Sequence, residues 1–232
     1  MEIGILITES KRLLRNVLGY NGNFKEMYNV WYYDTGVWKT TTFMGVNCLK
    51  SVSDMWNYQE IIYDLKPSLV IEFGTSQGGS TLFFSQILKL VNPDSKVISV
   101  DIDRDRISDL VKKDSHIELM NCSSTDKKVE ERLRELKEIY NGPIFAIIDS
   151  DHTKKHVLAE IELLSGILIK GDYLIVEDGI VNGHPVLKGW GEGPLEAIEE
   201  YFVIHPGDFR HDIDRENKFG FTFAPAGFLI RQ

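Results

Sequence analysis

Cysteine is almost missing from this sequence. Cys48 and Cys122 are the only two in 232 residues, and they form no CxxC pair. That excludes a disulfide scaffold and the thiolate zinc and redox motifs, and it fits a reduced, cytoplasmic protein. Long apolar runs are missing too: stretches such as 144–148 and 173–176 fall far short of the ~20 residues of a spanning helix. The opening Met1-Glu2-Ile3-Gly4-Ile5-Leu6-Ile7 has an acid where a signal peptide has a base, and Glu9 cuts the run short. Positive charge is in the minority. Lysine and arginine number 26 against 35 aspartates and glutamates, a net charge of −9, which argues against nucleic acid as the partner. No G-x-G-x-x-G turn, P-loop lysine or H-E-x-x-H pair occurs: Ser76 breaks the first pattern and Thr153 the last.

With 43% hydrophobic residues over this length, the chain can bury a core without staples. Residues 1–50 differ in texture from the rest. They are rich in aromatics (Tyr20, Phe24, Tyr28, Trp31, Tyr32, Tyr33, Trp38, Phe43) and lack strand–helix alternation, so they read as an N-terminal appendage that packs on the core or walls a substrate site. From residue 51 to 232 the pattern alternates. Short apolar strands are expected at 69–73, 97–101, 117–120, 144–149 and 173–177, with helices at 55–65, 82–91, 104–113, 129–140, 153–169 and 194–201. Such units imply a doubly wound, Rossmann-like α/β domain with a parallel sheet covered on both faces. Segments 219–223 and 227–231, three residues apart, are expected to pair as a hairpin. Seven strands, the last two antiparallel neighbours, suit the class I methyltransferase variant of this fold better than the dinucleotide-binding one.

In open α/β sheets the ligand sits at the carboxyl ends of the strands. There the first strand ends in Glu72-Phe73-Gly74-Thr75-Ser76-Gln77-Gly78-Gly79-Ser80. Glycines let this backbone bend sharply and approach a ligand, and the next helix offers free N–H groups. The second strand ends in Asp101, placed to accept the ribose hydroxyls of an adenosine; NAD enzymes share that feature, so Asp101 alone does not choose the cofactor. Ser123 follows the third strand beside the expected adenine edge. The fourth strand ends at Asp149 and the fifth at Glu177-Asp178, and neighbouring strands lie about 5 Å apart. Three carboxylates at one edge raise one another's pKa, and an oxygen-only set favours Mg2+ or Ca2+ over Zn2+. His152, three residues after Asp149, is a candidate base or a loop cap.

These residues, in this order, resemble the cephalosporin hydroxylase / rhamnosyl O-methyltransferase family. The matching stretches are 56–60, 66–75, 78–80, Asp149-Ser150-Asp151-His152 and Tyr173-Leu174-Ile175-Val176-Glu177-Asp178, with weaker matches at 193–197, 215–216 and 225–229. The resemblance implies an S-adenosylmethionine- and Mg2+-dependent O-methyltransferase. It implies Asp149, Glu177 and Asp178 as metal ligands and His152 as base beside Asp149; with the residues read above, the expected donor site is Glu72, Gly74, Thr75, Gly78, Gly79, Ser80, Asp101, Ser123 and Asp149. A sugar, glycan or small natural product is the expected acceptor, with Trp190 in the 179–193 loop as a candidate stacking ring. A homo-oligomer is expected from the aromatic segment and the family. Three other readings stand beside this one: a non-catalytic accessory protein, an NAD-dependent oxidoreductase, and the iron hydroxylase that the family name suggests.

Overall fold

The computed structural model describes residues 24–232; Tyr20 and the opening Met1–Ile7 lie outside them. Helix α1 (Phe24–Asp34) and a short 3-10 turn (Val37–Thr40) lead to a small hairpin, β1 (Thr42–Phe43) with β2 (Val46–Asn47). The domain proper follows as α2 (Val52–Leu65), β3 (Leu69–Phe73), α3 (Gly79–Val91), β4 (Lys96–Asp101), α4 (Asp109–Lys112) and β5 (Ile117–Asn121). Next come α5 (Lys127–Ile139), β6 (Ile144–Ile148), α6 (Lys154–Ser165), β7 (Tyr173–Val176) and α7 (Pro194–Ile204). The chain closes with β8 (Phe209–His211), α8 (Ile213–Asn217) and β9 (Phe228–Arg231).

The seven-stranded sheet runs β5-β4-β3-β6-β7-β9-β8, parallel from β5 to β7, with β9 antiparallel to both of its neighbours. Every residue of β3, β6 and β7 is buried, as their unbroken apolar runs require of strands covered on both faces. Leu69, Ile71 and Phe73 pack with Val129, Leu133, Ile161 and Ile198 on one side of the sheet. Val70 turns the other way, against Tyr58, Ile62, Phe84 and Leu88. Helix α5 shows the division locally: Val129, Leu133 and Leu136 face the sheet while Glu130 and Arg134 pair on the outside. Helix α2 stops where Lys66 adopts a left-handed conformation ahead of Pro67. No described helix is long and apolar enough to cross a membrane.

The sheet order reverses between β3 and β6, which opens a crevice at their carboxyl ends. The fold class read from the sequence is borne out. The expected hairpin is corrected: the strand beside β9 is β8, in register Phe209↔Arg231, and residues 219–223 form no strand. The Phe223 N–H is donated to the buried Asp54 carboxylate at 2.8 Å instead of to a ladder. Phe221 and Phe223 pack on Tyr28, Tyr32 and Tyr33 of α1, so the aromatic segment and this stretch form one cluster.

Candidate functional site

A cavity of about 780 Å³ lies over the crevice. One end is polar, lined by Ser76, Asp101, Asp103, Ser123, Ser124 and Ser150. The other is aromatic and apolar, lined by Tyr33, Trp38, Val181, Leu187, Trp190 and Phe223. Asp149, His152 and Asp178 stand in the same lining.

The glycine turn creates the polar end. Gly74 has φ +98°, and a Cβ there would lie 1.9 Å from the Asp149 carbonyl oxygen. The two strand-end loops touch backbone to backbone at that point. Gly74→Ala is expected to cost roughly 2–5 kcal/mol, because strain and a backbone clash combine; a urea titration would show it as a lower midpoint. Beyond the turn, Asp101 is oriented by two backbone donors, Ser76 N–H at 2.8 Å and Asp103 N–H at 2.9 Å.

Of the residues expected at the donor, Gly74, Asp101, Ser123 and Asp149 line the cavity. Glu72 does not reach it. It is fully buried beneath the turn, and its carboxylate accepts from Ser80 (2.5 Å), Ser99 (2.7 Å) and Thr81. Burial raises its pKa against the effect of Lys50 and these hydroxyls. Its carboxylate braces the turn through these hydroxyls. Thr75, Gly78, Gly79 and Ser80 likewise build the turn from below: Thr75 bonds Ser99 at 2.6 Å, and Gly78 and Gly79 press on Val111 and Asn47.

The acid cluster forms at the ends of β6 and β7. Asp149, His152 and Asp178 each present a ligand atom, all within 4.8 Å of one another. His152 Nε2 lies 3.2 Å from Asp178 Oδ2. Asp178 takes a left-handed conformation (φ +56°), a strained backbone state that clusters at functional sites. Burial pushes the Asp178 carboxyl above its ordinary range, against the opposing charge of His152. Glu177, expected beside them, is 3% exposed and turned to the protein: its Oε1 accepts from Lys50 Nζ at 2.8 Å and Tyr58 O–H at 3.0 Å. Burial raises the Glu177 carboxyl well above its ordinary range, Lys50 opposing and Asp149 adding. The carboxyl oxygens of the cluster suit a hard divalent cation.

Lys50 is the residue that the sequence did not disclose. It is 2% exposed, and its ammonium also lies 2.5 Å from Asp149 Oδ2. Burial alone would depress it, but Asp149, Glu177 and Glu72 together hold it well above the ordinary lysine range. The second histidine of this loop, His156, is engaged elsewhere, with Ser124 Oγ at 2.9 Å and the buried Glu160 at 3.4 Å. Among the described residues, the acid cluster thus contains one imidazole. Cys48, nearby, is pushed up to about 12 by burial, an inert thiol.

Residues 35–232 match the model of the family described as Rhamnosyl O-methyltransferase/CmcI. The chain is 53% identical over 206 residues to a rhamnosyl O-methyltransferase of Mycobacterium tuberculosis, covering 89% of this chain and 84% of that protein. It is 55% identical over 207 residues to one of Mycobacterium leprae, covering 89% and 90%. A solved structure of CmcI with Mg and SAM shares the fold, with a TM-score of 0.66 at 22% identity over 84% of this chain and 77% of that one. The chain belongs to the Rhamnosyl O-methyltransferase/CmcI family and has the fold of S-adenosylmethionine-dependent O-methyltransferases.

Proposed function

We propose that this enzyme transfers the methyl group of S-adenosylmethionine to a sugar hydroxyl, with a divalent cation, Mg2+ by preference, in the acid cluster. The carrying observation is the convergence of Asp149, His152 and Asp178 between the two unlike ends of one cavity. The polar end suits the donor: Asp101 is poised to accept from ribose hydroxyls, and Gly74, Ser123 and Asp149 border the rest. The aromatic end suits the acceptor, because flat rings beside polar groups match the apolar face and hydroxyl edge of a sugar. The mycobacterial relatives are named for rhamnosyl acceptors, which favours a deoxyhexose.

Asp149 and Asp178 would hold the cation, with Glu177 completing the acid set. Bound there, a divalent cation lowers the pKa of a coordinated hydroxyl. Hard cations prefer oxygen, which leaves His152 as the base. His152 takes the hydroxyl proton as the sulfur–methyl bond breaks and the oxygen–methyl bond forms, and S-adenosylhomocysteine leaves. The walls fix the line of attack, which is sensitive to ~1 Å errors.

The test is a mass-spectrometric assay with S-adenosylmethionine and methyl rhamnoside, catechol as a second acceptor, with Mg2+ or after chelation. A singly methylated rhamnoside formed at least tenfold faster with Mg2+ is expected. Methylation of catechol alone would overturn the acceptor class, and equal rates after chelation would overturn the role of the metal. An iron hydroxylase usually needs two histidines and one carboxylate; with His156 turned to Glu160, nothing here favours that reading.

A further inference from the structure

Lys50 enters the acid cluster from outside the sheet. It follows β2, on the segment that leads into α2, and its side chain reaches Asp149 at the end of β6 and Glu177 at the end of β7. The segment is held tightly: a Cβ on Gly79 would lie 2.2 Å from the Asn47 carbonyl oxygen, so the start of α3 and residues 47–48 meet backbone to backbone. Tyr58, one turn into α2, donates to the same Glu177 oxygen that Lys50 holds. The ammonium thus makes two contacts, to Asp149 and Glu177, on a segment fixed from behind, and has almost no access to water.

We propose that Lys50 is a charge-setting residue of the metal centre: it pins Asp149 and Glu177 together when no metal is bound, and it weakens the hold of the centre on a divalent cation. The inference rests on the metal reading above. The ammonium lies 2.5 Å from Asp149 Oδ2 and 2.8 Å from Glu177 Oε1, so it competes with an entering cation for the same acid cluster. Without Lys50 that competing charge is gone: a cation meets a stronger field, while the metal-free carboxyls lose the group that draws them together. Lys50 therefore works in opposite senses on the two states. It stabilises the empty centre, and it lowers affinity for Mg2+ so that the ion is held without draining the cluster of its negative charge.

The test is Lys50→Met, which keeps the apolar stem and removes the charge. Its Mg2+ affinity, measured by calorimetry on the donor-free protein, is expected to rise about tenfold or more, the scale of deleting one unit charge a few ångströms away. Its Tm after chelation is expected to fall, and added Mg2+ to raise that Tm by more than it raises the wild-type value. A residue that only packed would lower the Tm equally with and without Mg2+. Unchanged or weaker Mg2+ binding by a folded Lys50→Met overturns the proposal. If that variant is insoluble, Lys50→Met with Glu177→Gln removes one charge of each sign and is expected to fold without metal; failure of this pair to fold also overturns it. A wild type that binds no Mg2+ overturns the metal reading and this proposal together, whereas wild-type binding without tightening in Lys50→Met overturns only the role of Lys50.

Discussion

Asp149→Asn is expected to lower Mg2+-dependent turnover by on the order of 10³-fold or more, since a catalytic cation is worth several kcal/mol. Asp149 stands at the one position where everything meets. Its carboxylate is paired with Lys50, and one of its oxygens converges with His152 and Asp178. Its carbonyl oxygen meets the glycine turn at Gly74. Asparagine keeps the shape and removes the charge, so the cavity stays intact while the cation loses a ligand. Lys50 keeps Glu177 as partner, so the fold should survive. The measurement is turnover against Mg2+ concentration, with calorimetric binding of Mg2+ alone. A rate that still saturates at the wild-type Mg2+ concentration would remove Asp149 from the metal set.

His152→Ala should lower kcat by about 10²–10⁴-fold, the usual contribution of a general base. Donor binding and Mg2+ binding should stay as they were. That combination distinguishes a base from a ligand, because loss of a ligand would weaken Mg2+ binding as well. His152 sits 3.2 Å from Asp178, which orients the ring. Wild-type kcat in His152→Ala on the true acceptor would sink the assignment.

The centre of the fold was legible because its strands are extreme. Apolar runs such as 69–73 and 144–148 admit no surface reading, and an acid at the end of such a run stands out against it. Asp149, Glu177 and Asp178 were singled out in that way; the structure sets them just past β6 and β7, where Asp149 and Asp178 converge with His152 while Glu177 turns to Lys50 and Tyr58. Lys50 gave no such signal. A lysine before a helix looks like an ordinary solvated charge, and only the three-dimensional placement of the segment after β2, near the ends of β6 and β7, buries it. The surroundings of Glu72 were equally hidden. Its place before the turn was clear, but the hydroxyls that bond its carboxylate come from Ser80, Thr81 and Ser99, on two other elements. β8 was missed because Phe-Arg-His is too short and too charged to show a period, whereas Phe219 to Phe223 looked more strand-like than its backbone partners allow. The 1–50 boundary was drawn by texture, yet Lys50, Tyr33 and Trp38 all reach the site from its far side.

The unlike construction of the two cavity ends bears on how such an enzyme changes hands. The polar end grows out of strand termini inside the sheet, where an altered residue disturbs the core. Much of the aromatic end hangs from α1, the turn after it and the 179–193 loop, outside the sheet. Mutations there are cheap for the scaffold. With the acceptor at the aromatic end, as proposed, its choice would drift at Tyr33, Trp38, Leu187 and Trp190 before the strand ends changed, and a graft of those two segments from a relative would be the direct way to transplant that choice.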